Sequence, residues 1–209
     1  MAKAVIDAAI ERGPVALGLY GHPTVFAFPP FVIKDVADQL GLTVKILPGI
    51  SSMDCIFAEL MIDPANTGLQ MFEATELLLT RRKLQTDIQT LIWQVGTLET
   101  GLYSSRPSSP NRFARFVEYL IQYFPPAHPC VAIYCSDHPA LPSTTFHFPL
   151  DRIGEFATQL HGGFTIYLPP TSVPATLDSE LERRLNSAEH LRQVTQSSNN
   201  SGSGAGREA

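Results

Sequence analysis

Two apolar runs, each breaking on a glycine–proline turn, constrain what this chain can fold into more than any other feature. Leu19-Tyr20-Gly21-His22-Pro23-Thr24-Val25-Phe26 closes the first and Leu47-Pro48-Gly49-Ile50-Ser51-Ser52 closes the second. Residues 15–20 form an unbroken apolar run, as expected of a strand covered on both faces, and residues 43–47 read as a second buried strand. Helical patterns separate them. Val5, Ile6, Ala9 and Ile10 share one face of a helix over 2–12 that Gly13-Pro14 stops. A second helix runs over about 30–40 to Gly41, and a third over 52–61, with Ser51 as its cap and Asp63-Pro64 as its end. The α-β-α-β-α alternation predicts a parallel sheet with right-handed crossovers. In such sheets ligands bind at the carboxyl ends of the strands, so two adjacent turns imply a cofactor crevice. The alternation opens on a helix, where a doubly wound domain opens on a strand.

The pattern restarts after Asn66-Thr67-Gly68. Strands are expected at 69–72, 90–95, 131–135, 144–148 and 164–168, with helices at 74–80 and 151–160. Asn111 reads as the cap of a further helix to about residue 124, with Phe113, Phe116, Val117, Leu120 and Ile121 inward. The fold class is therefore α/β, in two lobes over 1–66 and 67–175. Residues 176–209 hold a polar helix (178 to about 194) and a Ser/Asn/Gly tail. Gly202-Ser203-Gly204-Ala205-Gly206 has no strand before it and no helix after it, so it reads as linker rather than a phosphate loop.

Composition narrows the function. With 44% hydrophobic and 17% charged residues the chain can bury a core, and a net charge of −5 gives little pull toward a nucleic-acid backbone. Three cysteines in 209 residues suit reduced thiols, and the N-terminus lacks a signal-peptide layout. The apolar region 16–33 is interrupted by His22, Pro23, Pro29 and Pro30, which no membrane span would carry. A soluble cytoplasmic protein with no nucleic-acid or membrane partner is expected.

Chemistry-bearing residues gather at the turns. Gly21 and Gly49 permit close approach of backbone to a ligand or unusual dihedrals, and Pro23 and Pro48 stiffen each turn. His22 is either a turn histidine bonding its own backbone or a ligand contact, with equal weight. Ser51 and Ser52 are caps that could also present donors to a polar ligand. Tyr20 and Tyr103 lie near loop mouths and could reach a substrate, whereas Tyr119 and Tyr123 share a helical face and read as packing. No metal-ligand spacing links the histidines and cysteines. Cys135-Ser136-Asp137-His138 lacks the strand–turn–helix context of a nucleophile elbow, which argues against a hydrolase.

Tyr20-Gly21-His22-Pro23 with Val25-Phe26, followed by Leu47-Pro48-Gly49-Ile50-Ser51-Ser52, resembles the tetrapyrrole methylase superfamily, the class III S-adenosylmethionine-dependent methyltransferases. Phe72-Glu73-Ala74-Thr75, Trp93-Gln94-Val95-Gly96 and Thr165-Ile166-Tyr167-Leu168-Pro169-Pro170 resemble its borosin-type peptide backbone N-methyltransferase branch. The resemblance, over about 3–170, implies two α/β lobes with S-adenosyl-L-methionine in the cleft between them, in a homodimer. By position, Tyr20, Gly21, His22, Pro23, Val25, Phe26, Ser51 and Ser52 would line the cofactor, and Gln94, Leu168 and Pro169 would close it. Tyr20 and Tyr103 are the candidate catalytic residues, and direct displacement at the sulfonium methyl would rely on positioning. The family opens with a strand and a Gly-rich loop that would precede Met1, so the chain reads as N-terminally truncated. The expected acceptor is a peptide amide, with a tetrapyrrole or other small molecule as the alternative. A non-catalytic cofactor-binding or dimerising module is the rival from another class.

Overall fold

A computed structural model describes residues 1–100, 109–136, 138 and 140–197. Tyr103, Asp137 and the 202–206 glycine run lie outside the described residues. Residues Met1–Thr171 form one compact unit and Ser172–Ala209 another.

Helix α1 (Ala2–Arg12) ends at Gly13, whose N–H donates to the Ala9 carbonyl at φ 88°. Helix α2 (Pro29–Gln39) opens on two prolines, where missing N–H groups cost nothing. The two helices pack through Ile6, Ile33 and Ala37, and Leu17, Leu42 and Val44 lie against the same cluster. Helix α3 (Ser52–Leu60) is followed by a short turn of helix, α4 (Pro64–Thr67).

One five-stranded sheet occupies the rest of this unit: β1 (Leu69–Glu73), β2 (Gln89–Trp93), β3 (Pro129–Tyr134), β4 (Thr144–Pro149) and β5 (Thr165–Leu168), in the order β1-β2-β5-β3-β4. Strands β1 and β2 are parallel, joined by a crossover containing α5 (Ala74–Thr80), as parallel neighbours require. The other pairs are antiparallel. Alternation along β2 sends Leu91 and Trp93 toward α3, where they meet Ile56 and Ile133. Ile92 faces the opposite side, with Ala132, Ile166, α5 and α6 (Asn111–Leu120). The sheet is thus covered on both faces. In α6, Phe113, Phe116 and Leu120 are buried as expected, while Ile121 is 40% exposed. Asn111 is the first helical residue rather than the cap, because the chain is already helical at Pro110.

The parallel sheet expected for 1–66 does not form. Residues 15–20 and 43–47 are in no ladder; every strand of the sheet lies between 69 and 168. A strand exists only where a neighbour takes its backbone N–H and C=O groups, and these two runs do not bond each other. Both line a groove of about 760 Å³ over α1 and α2. Leu47 is 65% exposed in consequence.

In the second unit, α7 (Ser179–Leu185) is capped by the Asp178 carboxylate, which accepts from Leu181 N–H at 2.8 Å. The single helix expected here is two: Asn186 ends α7 and the Ser187 hydroxyl starts α8 (Ala188–Ser197) by accepting from His190 N–H. Among the described residues, no helix is long and apolar enough to cross a membrane.

Candidate functional site

The two turns meet. A Cβ placed on Gly49 would lie 2.7 Å from the Gly21 carbonyl oxygen and 3.6 Å from His22 Cα, so only glycine fits there without a shift. The freedom used at Gly49 is one of space: its φ is not positive, whereas Gly21 has φ 75° and depends on glycine for its conformation.

In the first turn, Val25 N–H donates to the His22 carbonyl at 3.2 Å, and the His22 Nδ1 receives Thr24 N–H at 3.2 Å. The ring thus braces its own turn, and among the described residues Nε2 has no partner. Tyr20 is 86% exposed. Pro23 and Val25 are half-buried. Phe26, at φ 52°, holds a left-handed conformation rare for an aromatic residue. Its ring lies 5.5 Å from Trp93 at the carboxyl end of β2. Left-handed strain in a bulky residue clusters at functional positions, and here it delivers the first turn to the sheet.

In the second turn, Ser51 is buried and its hydroxyl is committed. It accepts from Met53 N–H at 3.2 Å, while Ser51 N–H and Oγ donate to Asp54 Oδ2 at 2.7 and 2.9 Å. This is a complete capping box. The Ser51 backbone bond, the Ser51 hydroxyl and the nearby His22 hold the Asp54 carboxyl below its usual range. A carboxylate therefore already sits on this helix start, so the turn offers a ligand backbone and a negative charge rather than an empty anion seat. Ser52 is exposed beside it.

From the sheet, Gln94 follows Trp93 in a left-handed conformation (φ 58°), and its carbonyl accepts from Thr97 N–H and Oγ1, both at 2.9 Å. Next to it, a Cβ on Gly96 would fall 2.0 Å from the His161 carbonyl carbon, a close crossing of two backbones. Leu168 and Pro169 are elsewhere. In the β2–β5 register Leu168 pairs with Thr90, four residues from Gln94, a separation of about 13 Å along the strand. Leu168 is buried, and the Pro169 carbonyl accepts from the buried His128 at 2.8 Å. Burial pushes the His128 pKa down, so the ring is a neutral donor.

Gly21, His22, Phe26, Gly49, Asp54, Trp93 and Gln94 therefore gather through the touching turns, the Ser51–Asp54 hydrogen bonds and the Phe26–Trp93 ring contact, and Leu168 and Pro169 do not join the Gln94 strand end. Sequence reading missed Trp93 and Asp54 as members. The spacing Ser51-x-x-Asp54 was the available signal for the latter. Among the described residues, no three His, Cys, Asp or Glu side chains cluster as metal ligands do.

Comparison with known proteins adds kinship. The family model of tetrapyrrole (corrin/porphyrin) methylases matches residues 1–135. The methyltransferase/omphalotin A cyclic peptide precursor of Omphalotus olearius is 30% identical over 179 residues, 84% of this chain and 43% of that protein. A methyltransferase/type II borosin cyclic peptide precursor of Phlebiopsis gigantea is 34% identical over 174 residues, 81% of this chain and 30% of that protein. The chain thus spans less than half the length of these relatives. Among solved structures, the uroporphyrin-III C-methyltransferase of Thermus thermophilus, complexed with S-adenosylhomocysteine, superposes with a TM-score of 0.57 at 14% identity. The match covers 80% of this chain and 71% of that one.

Proposed function

The chain belongs to the tetrapyrrole methylase family, and on that premise we propose that it is an S-adenosylmethionine-dependent methyltransferase unit whose donor binds at the touching turns and whose acceptor is a peptide backbone amide. The observation that carries the donor site is the Gly49–Gly21 approach, which holds the two turns edge to edge so tightly that a Cβ on Gly49 would meet the Gly21 carbonyl oxygen at 2.7 Å. Gly21, His22 and Gly49 would offer backbone to the donor, and the ionised Asp54 suits its cationic end. Phe26 and Trp93 would wall it on the sheet side. When bound, S-adenosylmethionine supplies an activated sulfonium methyl. The chain's own share of the work is orientation and exclusion of water, since no covalent nucleophile is required and positioning alone removes much of such a barrier. Tyr20, exposed at the mouth, is the described tyrosine that could contact an acceptor.

The peptide acceptor is supported by the relatives, whose names join a methyltransferase to a ribosomally synthesized cyclic-peptide precursor. The reading extends to a cytoplasmic homodimer, which the family resemblance supports and sedimentation tests. The activity test is mass spectrometry after incubation with S-adenosylmethionine and either apolar peptides or a porphyrinogen. A one-methyl mass gain on peptide is expected. A gain on the porphyrinogen alone would replace the acceptor, and no gain on either would overturn the activity.

A further inference from the structure

Strand β3 divides the free cysteines between the two faces of the sheet. Alternation sends Cys130 and Ala132 to the side of α5 and α6, where Cys130 is 1% exposed. It sends Ile133, and Cys135 just past the strand end, to the opposite side. There Ile133 clusters with Ile56 of α3, and Cys135 packs against that cluster. Helix α3 brings a second thiol to the same place. Cys55 and Glu59 are one helical turn apart and lie on one flank of Ile56. Glu59 fixes where that flank sits: its Oε1 accepts from the Ser143 hydroxyl at 2.7 Å, and the Ser143 Oγ accepts from Ser136 N–H at 3.1 Å. The helix flank that carries Cys55 is therefore bridged to the backbone of the residue after Cys135. The two thiols also feel each other: burial, then Cys55 and Glu59, push the Cys135 pKa up to about 12. Both cysteines are half-buried, packed yet open to a small solute, and the methyl transfer uses neither sulfur.

We propose that Cys55 and Cys135 form a dithiol site for a hydroperoxide, which oxidises them to a disulfide tying α3 to the end of β3. Cys135 remains a thiol near neutral pH, so the first attack falls to Cys55. The Cys55 thiolate sulfur attacks one oxygen of hydrogen peroxide, the O–O bond breaks, and the other oxygen leaves as hydroxide, which takes up the thiol's proton to become water. The Cys135 sulfur then attacks the sulfenic sulfur of Cys55. The S–S bond forms, the S–OH bond breaks, and the hydroxyl departs with the Cys135 proton as a second water. The two sulfurs lose two electrons and the peroxide gains them. A dithiol reductant reverses the closure by exchange. Cys130, on the other face of the sheet, takes no part. The closed bond tethers the helix whose first turn holds Ser51 and Asp54.

The test treats the full chain with hydrogen peroxide, quenches with catalase, alkylates the remaining thiols in urea and maps the peptides by mass spectrometry, with a dithiothreitol-treated sample as reference. A peptide joining residues 55 and 135, lighter than its two reduced halves by two hydrogen atoms, is the expected product. Alkylation of Cys55 and Cys135 should fall about tenfold or more while that of Cys130 is unchanged, since susceptibility follows exposure. Dimedone, which traps sulfenic acid, should label Cys55 in Cys135→Ser and leave Cys135 unlabelled in Cys55→Ser. Absence of the 55–135 peptide from the oxidised parent, a link that involves Cys130, or a link found only between two chains would each overturn the proposal. The parent map needs no variant, so a substitution that fails to fold does not decide it. The readout is independent of S-adenosylmethionine, so failure of the donor-site reading leaves it standing and the reverse holds too.

Discussion

Replacing Gly49 with alanine adds a single carbon where the two turns touch. That Cβ would sit 2.7 Å from the Gly21 carbonyl oxygen, and ordinary contact begins near 3.4 Å, so the turns must part by about 0.7 Å. The obstacle is backbone, which cannot rotate away as a flexible side chain would. Overpacking of this kind costs about 1–3 kcal/mol. If the turns form the donor site, most of that cost falls on the geometry a ligand meets, and affinity should drop by about 5- to 150-fold. Calorimetric titration with S-adenosylhomocysteine reads the change directly. Gly18→Ala is the matched control: it lies on the same segment, its φ is ordinary and a Cβ there meets nothing within 4 Å. Its affinity should stay within about twofold of the parent, the range of neutral surface changes. Equal affinities for parent and Gly49→Ala, or equal losses at 18 and 49, would refute the reasoning.

Four further outcomes are expected. His22→Ala should weaken S-adenosylhomocysteine binding about fivefold, the worth of one hydrogen bond, and the loss should be visible by calorimetry. Gly96→Ala drives a Cβ to 2.0 Å from the His161 carbonyl carbon, so it should lower the melting temperature by roughly 6–12 °C in a thermal scan, about 3 kcal/mol for a chain of this size. Ser51→Ala removes the cap of α3 and should cost about 1 kcal/mol in urea denaturation. Burial depresses the folded pKa of His128 and His161 below the ordinary 6.5, so above that value both states are neutral and stability is full. As pH falls through 6.5 the unfolded chain takes up protons first, and the urea midpoint should decline from there toward the folded values; His128→Gln, which keeps a donor for the Pro169 carbonyl, should flatten the slope.

The second half of the fold was legible because its signals are local. The apolar run 91–93 and the α6 aromatics at helical spacing each specify an element with little help from elsewhere, as does the Ser51 cap ahead of the sheet. The runs 15–20 and 43–47 carry the same signal and fail to become strands, since a strand is a property of a pair and neither has its partner among the described residues. The turns were legible from Gly and Pro, but the use of Gly49 was not: the sequence suggested unusual dihedrals, and the structure shows a backbone contact instead. Trp93 was invisible as a site member because the contact that recruits it, with Phe26, joins segments far apart in sequence, whereas the Ser51-x-x-Asp54 spacing did carry a signal for Asp54. The distance of Leu168 and Pro169 from Gln94 rests on the antiparallel β2–β5 register, which no spacing rule supplies.

The most direct test of the donor site is calorimetric titration of the chain with S-adenosylhomocysteine, repeated on Gly49→Val. One saturable site on the parent, with its heat lost in Gly49→Val while the melting of β1–β5 is retained, is the predicted result. No heat and no thermal shift at millimolar ligand, or unchanged binding by Gly49→Val, would contradict a cofactor seat at the touching turns.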